Sequence, residues 1–467
     1  MGRVDTVVKN GKVVLHDGIL DAGVVIDKEK VVCLAPDTYL PEAKEIIDAN
    51  GNFILPGCID PHAHLQRAYY SMEENIRTET QHAAVGGITT IVPLTFIRGE
   101  PLMSYSEVLA KSKPIVEDVS TVDMGFTFMV STKEHVDDFS RCVQELGVTS
   151  FKMFLSYSGA EAATFGVEKI DDGLILYAME TARDIGYPCL PTIHTENMDI
   201  IYWYKEKLQR EGRKDLAAWS EARPPFAEEE NMRRAIYFAE ITKAPIYIVH
   251  ISIGKGVGLV SDAKGRGIQV IGEACPHHLV FTQYDDALIG NIGKTNPPLR
   301  SSEDREMLWR GIRDGVISTI GSDHSTIMPL KDKKGKEDDI WSVIPGVPGT
   351  GLILPSMLSE GVNRGKITLE KLVEVCSYNV AKAFGLFPKK GTLAPGSDAD
   401  LVIVDLDKTQ VVTPGVVHTA AGYTLFDGRE LKGWPVLTML RGRVIMRDGE
   451  LTASPGYGQY VPRYVGK

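Results

Sequence analysis

The chain has 467 residues, 43% of them hydrophobic, and carries 51 Lys and Arg against 62 Asp and Glu for a formal charge of −11. That length buries a large core and suits two or three units, or one α/β barrel with an appendage. Mild acidity with scattered basic residues excludes a nucleic-acid or anionic-lipid partner.

No apolar run reaches the roughly 18 residues of a membrane span, and Met1–Lys9 lacks the regions of a signal peptide. Cys33, Cys58, Cys142, Cys189, Cys275 and Cys376 lie far apart without a CxxC pair. Neither a disulfide framework nor a thiolate zinc site is indicated, and a reducing cytoplasm fits.

The first fifty residues alternate as short strands: Thr6-Val7-Val8-Lys9, a turn at Asn10-Gly11, Lys12-Val13-Val14, Gly23-Val24-Val25-Ile26 and Val31-Val32-Cys33. From about Phe53 brief apolar runs alternate with amphipathic stretches, the grammar of βα units. The runs are Phe53–Ile59, Ile88–Thr95, Val122–Val130, Ser150–Leu155, Tyr187–Ile193, Pro245–Ile251, Ile268–Glu273 and Val316–Gly321. Lys133–Leu146, Leu174–Ile185 and Arg233–Ile241 read as helices between them. Eight such units predict an α/β fold with a (β/α)8 TIM-like barrel. Strand grammar returns after Leu386, so the two ends are expected to form one small β-sandwich into which the barrel is inserted. The expected division is 1–53 and 386–467 for the sandwich and tail, and 54–385 for the barrel.

His62-Ala63-His64 ends the first barrel run. Residues i and i+2 of an extended segment point the same way, so both imidazoles reach one ion at the C-terminal mouth. Lys152, His194, His250 and Asp323 each end a different predicted strand. Taken singly, each has a structural reading: a snorkelling lysine, satisfied core histidines, a helix N-cap. A barrel brings strand ends together, and the six jointly point to a metal site. Neutral imidazoles with oxygen donors and no thiolate suit Zn2+ and tolerate Mn2+, Co2+ or Fe2+.

Gly57-Cys58-Ile59-Asp60-Pro61-His62-Ala63-His64-Leu65, Gly86-Gly87-Ile88-Thr89-Thr90, Phe151-Lys152-Met153-Phe154, Asn296-Pro297-Pro298-Leu299-Arg300, Gly321-Ser322-Asp323-His324 and the stretch from Gly391 to Leu401 resemble the amidohydrolase superfamily. Within it the chain is most similar to the hydantoinase and dihydropyrimidinase branch of cyclic amidohydrolases. The resemblance implies two divalent ions. His62, His64, Lys152 and Asp323 would hold one, and His194, His250 and the same Lys152 the other, with Lys152 carbamylated by CO2 to N6-carboxylysine. It implies ring opening of a small cyclic amide or imide by a bridging hydroxide, with Asp323 as proton shuttle. Tyr157 would be the donor to the oxyanion, and Thr295 and Asn296 would contact the amide edge of the ring.

Two departures bear on the substrate. Asn296 stands before the prolines where hydantoinases commonly have serine, and Ile344–Gly349 is one residue shorter than the usual substrate loop and lacks its asparagine. Dihydroorotase or allantoinase is the alternative on the same scaffold, although Gln66 occupies the place of the arginine a dihydroorotase needs. A non-catalytic scaffold of this family would have lost ligands, and all six are intact. Tyr69 and Tyr70 are placed to wall a pocket and serve equally as packing residues. His277 and His278 lie near the mouth, His324 is expected to face away from it, and Cys275 reads as a small buried residue. The tail Gly456–Arg463 resembles segments that clasp neighbouring subunits, implying a homo-oligomer, a dimer or tetramer.

Overall fold

Gly57 is where the chain leaves one sheet and enters another. The computed structural model describes residues 3–65, 70–95, 103–163, 169–285, 290–326, 329–334, 336 and 338–463. In it the predicted run Phe53–Ile59 divides. Phe53–Pro56 pairs with Lys12–Leu15 and Leu401–Val411 in a terminal sheet, and Cys58–Asp60 belongs to the barrel. Both sheets bury this segment, so its apolar residues give no sign of the change. A side chain at position 57 has no room, because a Cβ there would stand 2.2 Å from Thr89 Oγ1.

Eight parallel strands close the barrel. In order they are Cys58–Asp60 continued by Ala63–His64, Ile88–Ile91 continued by Leu94–Thr95, Asp123–Met124 continued by Thr127–Met129, Ser150–Leu155, Leu190–Thr195, Ile246–Ile248, Val270–Ala274, and Ile317–Ile320 continued by His324–Ser325. Each pairs with the next. His324 and Ser325 pair with Ala63 and His64 to complete the ring.

The helices follow the sequence less evenly. Leu174–Ile185 is found as Asp172–Ile185, capped by the Asp171 side chain on Leu174 N. Arg233–Ile241 is the second half of Pro225–Thr242, which starts on a proline whose missing N–H has no partner to lose there. Lys133–Leu146 is not one helix. It breaks at Asp138 into Lys133–Asp137 and Phe139–Arg141, then a π-helical turn Cys142–Leu146. The break accompanies the stacking of Phe139 on Phe151 of the fourth strand, ring centroids 3.7 Å apart.

The chain ends form two sheets. Four strands, in the order Lys30–Ala35, Gly23–Asp27, Val4–Lys9 and Ala43–Asp48, make the first. The second has seven strands and interleaves the two ends: Glu450–Leu451, Arg443–Arg447, Glu430–Leu440, Leu401–Val411, Phe53–Pro56, Lys12–Leu15 and Gly18–Asp21. Asn10-Gly11 therefore passes the chain from one sheet to the other rather than closing a hairpin. Val8, Val24 and Ile26 of the first sheet meet Val13, Ile54, Ile403 and Met439 of the second in one buried cluster.

Lys390 joins this sandwich to the barrel floor. Its fully buried Nζ lies 2.5 Å from Asp400 Oδ2, 2.8 Å from Asp123 Oδ2 and 3.1 Å from Asp398 Oδ2. Arg441 also binds Asp123. Lys390→Met leaves buried carboxylates without their central cation, and we expect it to lower unfolding stability by about 3–5 kcal/mol. A urea titration of the metal-loaded protein followed by tryptophan fluorescence measures this.

Gly456–Arg463, the segment whose sequence resembles a subunit clasp, lies along its own barrel. Gly458 N donates to Ser120 O, Met124 N to Gln459 O, Val461 N to Met124 O and Arg463 N to Gly147 O, all at 2.8–2.9 Å. Arg463 is fully buried and donates to Ser150 Oγ and Phe126 O. These backbone groups are satisfied within one chain. Among the described residues no helix is long and apolar enough to cross a membrane, and all six cysteines are free thiols. Gln66, Arg67 and Tyr69 lie outside the described residues.

Candidate metal centre

Strand ends deliver the six candidate ligands to one buried place. His62 lies in the interruption of the first strand and His64 ends its second piece, and Lys152 and His194 lie within the fourth and fifth. His250 is two residues past the sixth, and Asp323 sits between the two pieces of the eighth. His62, His64, Lys152, His194 and His250 are all 6% exposed or less. One ligand atom each from His62, His64 and Asp323 falls within 4.8 Å of the others. Asp323 Oδ1 is 2.9 Å from His64 Nε2 and 3.3 Å from His62 Nε2, while Lys152 Nζ is 3.4 Å from that same His62 nitrogen. Across the mouth, His194 Nδ1 faces His250 Nε2 at 3.0 Å, and the His62 and His250 rings are 5.3 Å apart.

Carboxylates behind the imidazoles decide which nitrogen is offered. Glu273 Oε1 lies 2.8 Å from His62 Nδ1 and accepts the His250 backbone N–H at 2.8 Å, while its Oε2 accepts from Tyr247 at 2.7 Å. A proton on Nδ1 leaves the His62 Nε2 lone pair turned to the site. Glu196 Oε2 lies 2.9 Å from His194 Nε2 and is paired with Arg223 at 2.5 Å, so His194 offers Nδ1. Asp60 accepts from Ser322 N and Oγ and from His62 N, tying the eighth strand to the first. Sequence reasoning missed all three acids. The usable signal was a carboxylate at the end of a buried apolar strand, where it must have a partner.

Two of the candidate ligands carry left-handed backbone, His250 with φ 38° and Asp323 with φ 49°. Such conformations in non-glycine residues cost roughly 1–3 kcal/mol and persist where surrounding bonds enforce them, as Glu273 does at His250 N.

The charges suit a cation. Burial pushes His194 below its ordinary value and His250 well below, keeping both imidazoles neutral. Burial alone would raise the Asp323 carboxyl, but His62 and His64 hold it well below the usual range. Burial also pushes the Lys152 amine down to about 8. Neutral nitrogens, an ionised carboxylate and a His250 Nδ1 buried without a hydrogen-bond partner form a donor set that a divalent ion fits.

Tyr157 stands just past the fourth strand, 4% exposed, its hydroxyl 3.4 Å from His194 Nε2. Thr295 and Asn296 lie after the seventh strand, where the Thr295 carbonyl accepts from Trp219 Nε1 at 2.8 Å. Thr295 Oγ1 and Asn296 Oδ1 are buried without a hydrogen-bond partner among the described residues. His278 Nε2 is 3.2 Å from Pro297 O, and His324 turns away from the centre to within 3.2 Å of Glu79 Oε2. Tyr70 donates to Ala420 O at 3.2 Å.

A closed parallel barrel with histidines, a lysine and an aspartate gathered at its C-terminal mouth defines a metal-dependent barrel hydrolase. Residues 228–445 match the amidohydrolase family model. The chain is 34% identical over 468 residues to the D-hydantoinase of Geobacillus stearothermophilus, spanning 98% of this chain and 96% of that protein. It is 35% identical over 467 residues to the L-hydantoinase of Paenarthrobacter aurescens, 98% of each. Among solved structures, the L-hydantoinase (dihydropyrimidinase) from Arthrobacter aurescens matches with a TM-score of 0.90 and 32% identity over 98% of this chain and all of that one. The chain belongs to the amidohydrolase family, in its hydantoinase and dihydropyrimidinase branch, and a divalent metal centre comes with that membership.

Proposed function

We propose that this protein hydrolyses a ring C–N bond of a small cyclic amide or imide of the hydantoin or dihydropyrimidine type. The observation that carries the reading is the convergence of His62, His64, Lys152, His194, His250 and Asp323 at one mouth. His62, His64 and Asp323 would hold one ion, His194 and His250 the other, and Lys152 would bridge them as its carbamate. In that carbamate Nζ bonds to CO2 and releases a proton to water. The observation in favour is that Lys152 is 2% exposed and, among the described residues, its Nζ forms no ion pair with a carboxylate while standing 3.4 Å from His62 Nε2. Zn2+ is the expected metal on donor chemistry, with Mn2+, Co2+ and Fe2+ as alternatives. When bound, the ions polarise the ring carbonyl and lower the pKa of water enough for attack near neutral pH.

The chain's own groups do the rest. Asp323 takes the proton of the attacking water and passes it to the departing ring nitrogen as the C–N bond breaks. Tyr157 donates its hydroxyl hydrogen to the carbonyl oxygen as negative charge grows there. Thr295 and Asn296, with buried unpartnered oxygens, accept from ring N–H groups.

Three further readings belong with this one. The division expected at 1–53, 54–385 and 386–467 is kept except that Phe53–Pro56 goes with the sandwich, so the barrel unit begins at Cys58. The protein is cytoplasmic, as free thiols suggest. It forms a dimer or tetramer, for which exposed Tyr187, Trp203 and Tyr237 offer apolar surface and which light scattering measures.

The deciding assay is ring opening of hydantoin, 5-phenylhydantoin, dihydrouracil, allantoin and dihydroorotate by metal-replete protein, with a chelated control. Chelator-sensitive turnover of a hydantoin or dihydrouracil is expected. Turnover confined to dihydroorotate or allantoin moves the substrate, and inactivity on all five rejects the reading.

A further inference from the structure

Two buried lysines outside the ligand set hold the same stretch of chain. Residues 340–349 pass the mouth directly beyond the eighth strand: Ser325 N donates to Val347 O at 2.9 Å and Gly349 N to His324 Nδ1 at 3.0 Å. This stretch contains the shortened loop Ile344–Gly349. Lys294, the neighbour of Thr295, donates through Nζ to Ile340 O and Val343 O, each at 2.7 Å, and its carbonyl accepts from Gly346 N at 2.9 Å. From the other side, Lys333 Nζ donates to Gly346 O at 2.7 Å and to the Tyr423 hydroxyl at 3.0 Å.

Both side chains are buried, Lys294 3% and Lys333 1% exposed. Among the described residues no carboxylate neutralises Lys333. Burying an amine without an anion is unfavourable unless its N–H groups are used, and here they cap main-chain carbonyls. A packing role alone would be filled by an apolar side chain of similar length. The capped carbonyls belong to a segment that forms neither helix nor extended ladder, so few backbone bonds of its own hold it in place. The lysines grip it at both ends of the turn: Ile340 and Val343 on one side, Gly346 on the other.

We infer that Lys294 and Lys333 are positioning residues that fix the 340–349 wall of the substrate site, so that ring fit depends on amine-to-carbonyl clamps remote from the metal ligands. The kinetic part of this inference rests on the ring-opening reading, and its structural part does not.

With hydantoin and dihydrouracil as probes, Lys333→Met and Lys294→Met each raise KM about tenfold and leave kcat within about twofold, the pattern of lost uniform binding. Lys333→Arg recovers part of the loss, and Tyr423→Phe, which removes one acceptor of Lys333, gives a smaller rise. Hydrogen exchange supplies a readout that needs no substrate: amides of 340–349 exchange faster in Lys333→Met and Tyr423→Phe at unchanged metal content. Unchanged exchange across that segment overturns the inference. So does a fall in kcat accompanied by loss of metal, which is what general damage to the fold produces. If the unmodified protein opens neither ring, the ring-opening reading has failed, and exchange alone decides the role of the lysines.

Discussion

Asp323→Asn lowers kcat for ring opening by about 10^3 to 10^4-fold, and added metal does not restore it. The size follows from what a positioned general base contributes, about 10^2 to 10^4-fold, together with the loss of an anionic donor from the site. Asparagine keeps the volume of the side chain and an oxygen within reach of His64 Nε2, which stands 2.9 Å from Asp323 Oδ1. It also tolerates the left-handed backbone at this position, φ 49°, so the substitution tests chemistry more than folding. An amide, however, cannot take a proton from water and return it to a leaving nitrogen. The measurement is kcat and KM on the preferred ring substrate at several metal concentrations, with bound metal counted by elemental analysis. A variant keeping more than a tenth of the activity at full metal occupancy removes Asp323 from the proton-transfer role.

The candidate ligands were more legible in the sequence than the groups packed behind them. His62, His64, His194, His250 and Asp323 stand at or just past the end of a short apolar run and Lys152 lies inside one, and the barrel period says that such strands converge. Glu273 closes the predicted run Ile268–Glu273 and looked like its polar end. Its importance depends on strand seven standing beside strand six in the register that sets Ile248 opposite Gly272, and no local pattern encodes that pairing. Glu196 and Arg223 are 27 residues apart and meet only when the loops after the fifth strand fold over His194. Lys390 lies one residue before the Gly391–Leu401 motif, whose Asp398 and Asp400 serve to surround it. The sheet change at Gly57 was hidden by burial on both sides. The break at Asp138 was hidden because the residues around it keep a helical apolar spacing while the chain bends to stack Phe139 on Phe151.

Glu273→Gln weakens metal binding by about 10 to 100-fold, and this deficit, unlike that of Asp323→Asn, is reversed by saturating metal. Glu273 touches no candidate metal position itself. It receives the His62 Nδ1 proton, the His250 backbone N–H and the Tyr247 hydroxyl. A carboxylate there raises the basicity of the His62 nitrogen turned to the centre, and an amide does so less. The replacement is tolerable sterically. Glutamine can set its oxygen toward His62 and His250 and its nitrogen toward Tyr247, whose hydroxyl has Thr319 Oγ1 at 2.8 Å as another partner. Glu273→Ala, by contrast, strands the His62 and His250 N–H groups in the core and is expected to reduce soluble yield. Competition with a metal-binding dye gives the affinities, and turnover against free Zn2+ shows whether the Glu273→Gln curve shifts or drops. A shifted curve with the same plateau means that Glu273 acts through its histidines. A lowered plateau at full occupancy would place it in the chemistry instead, and an unchanged curve would leave the carboxylate with no role in holding the metal.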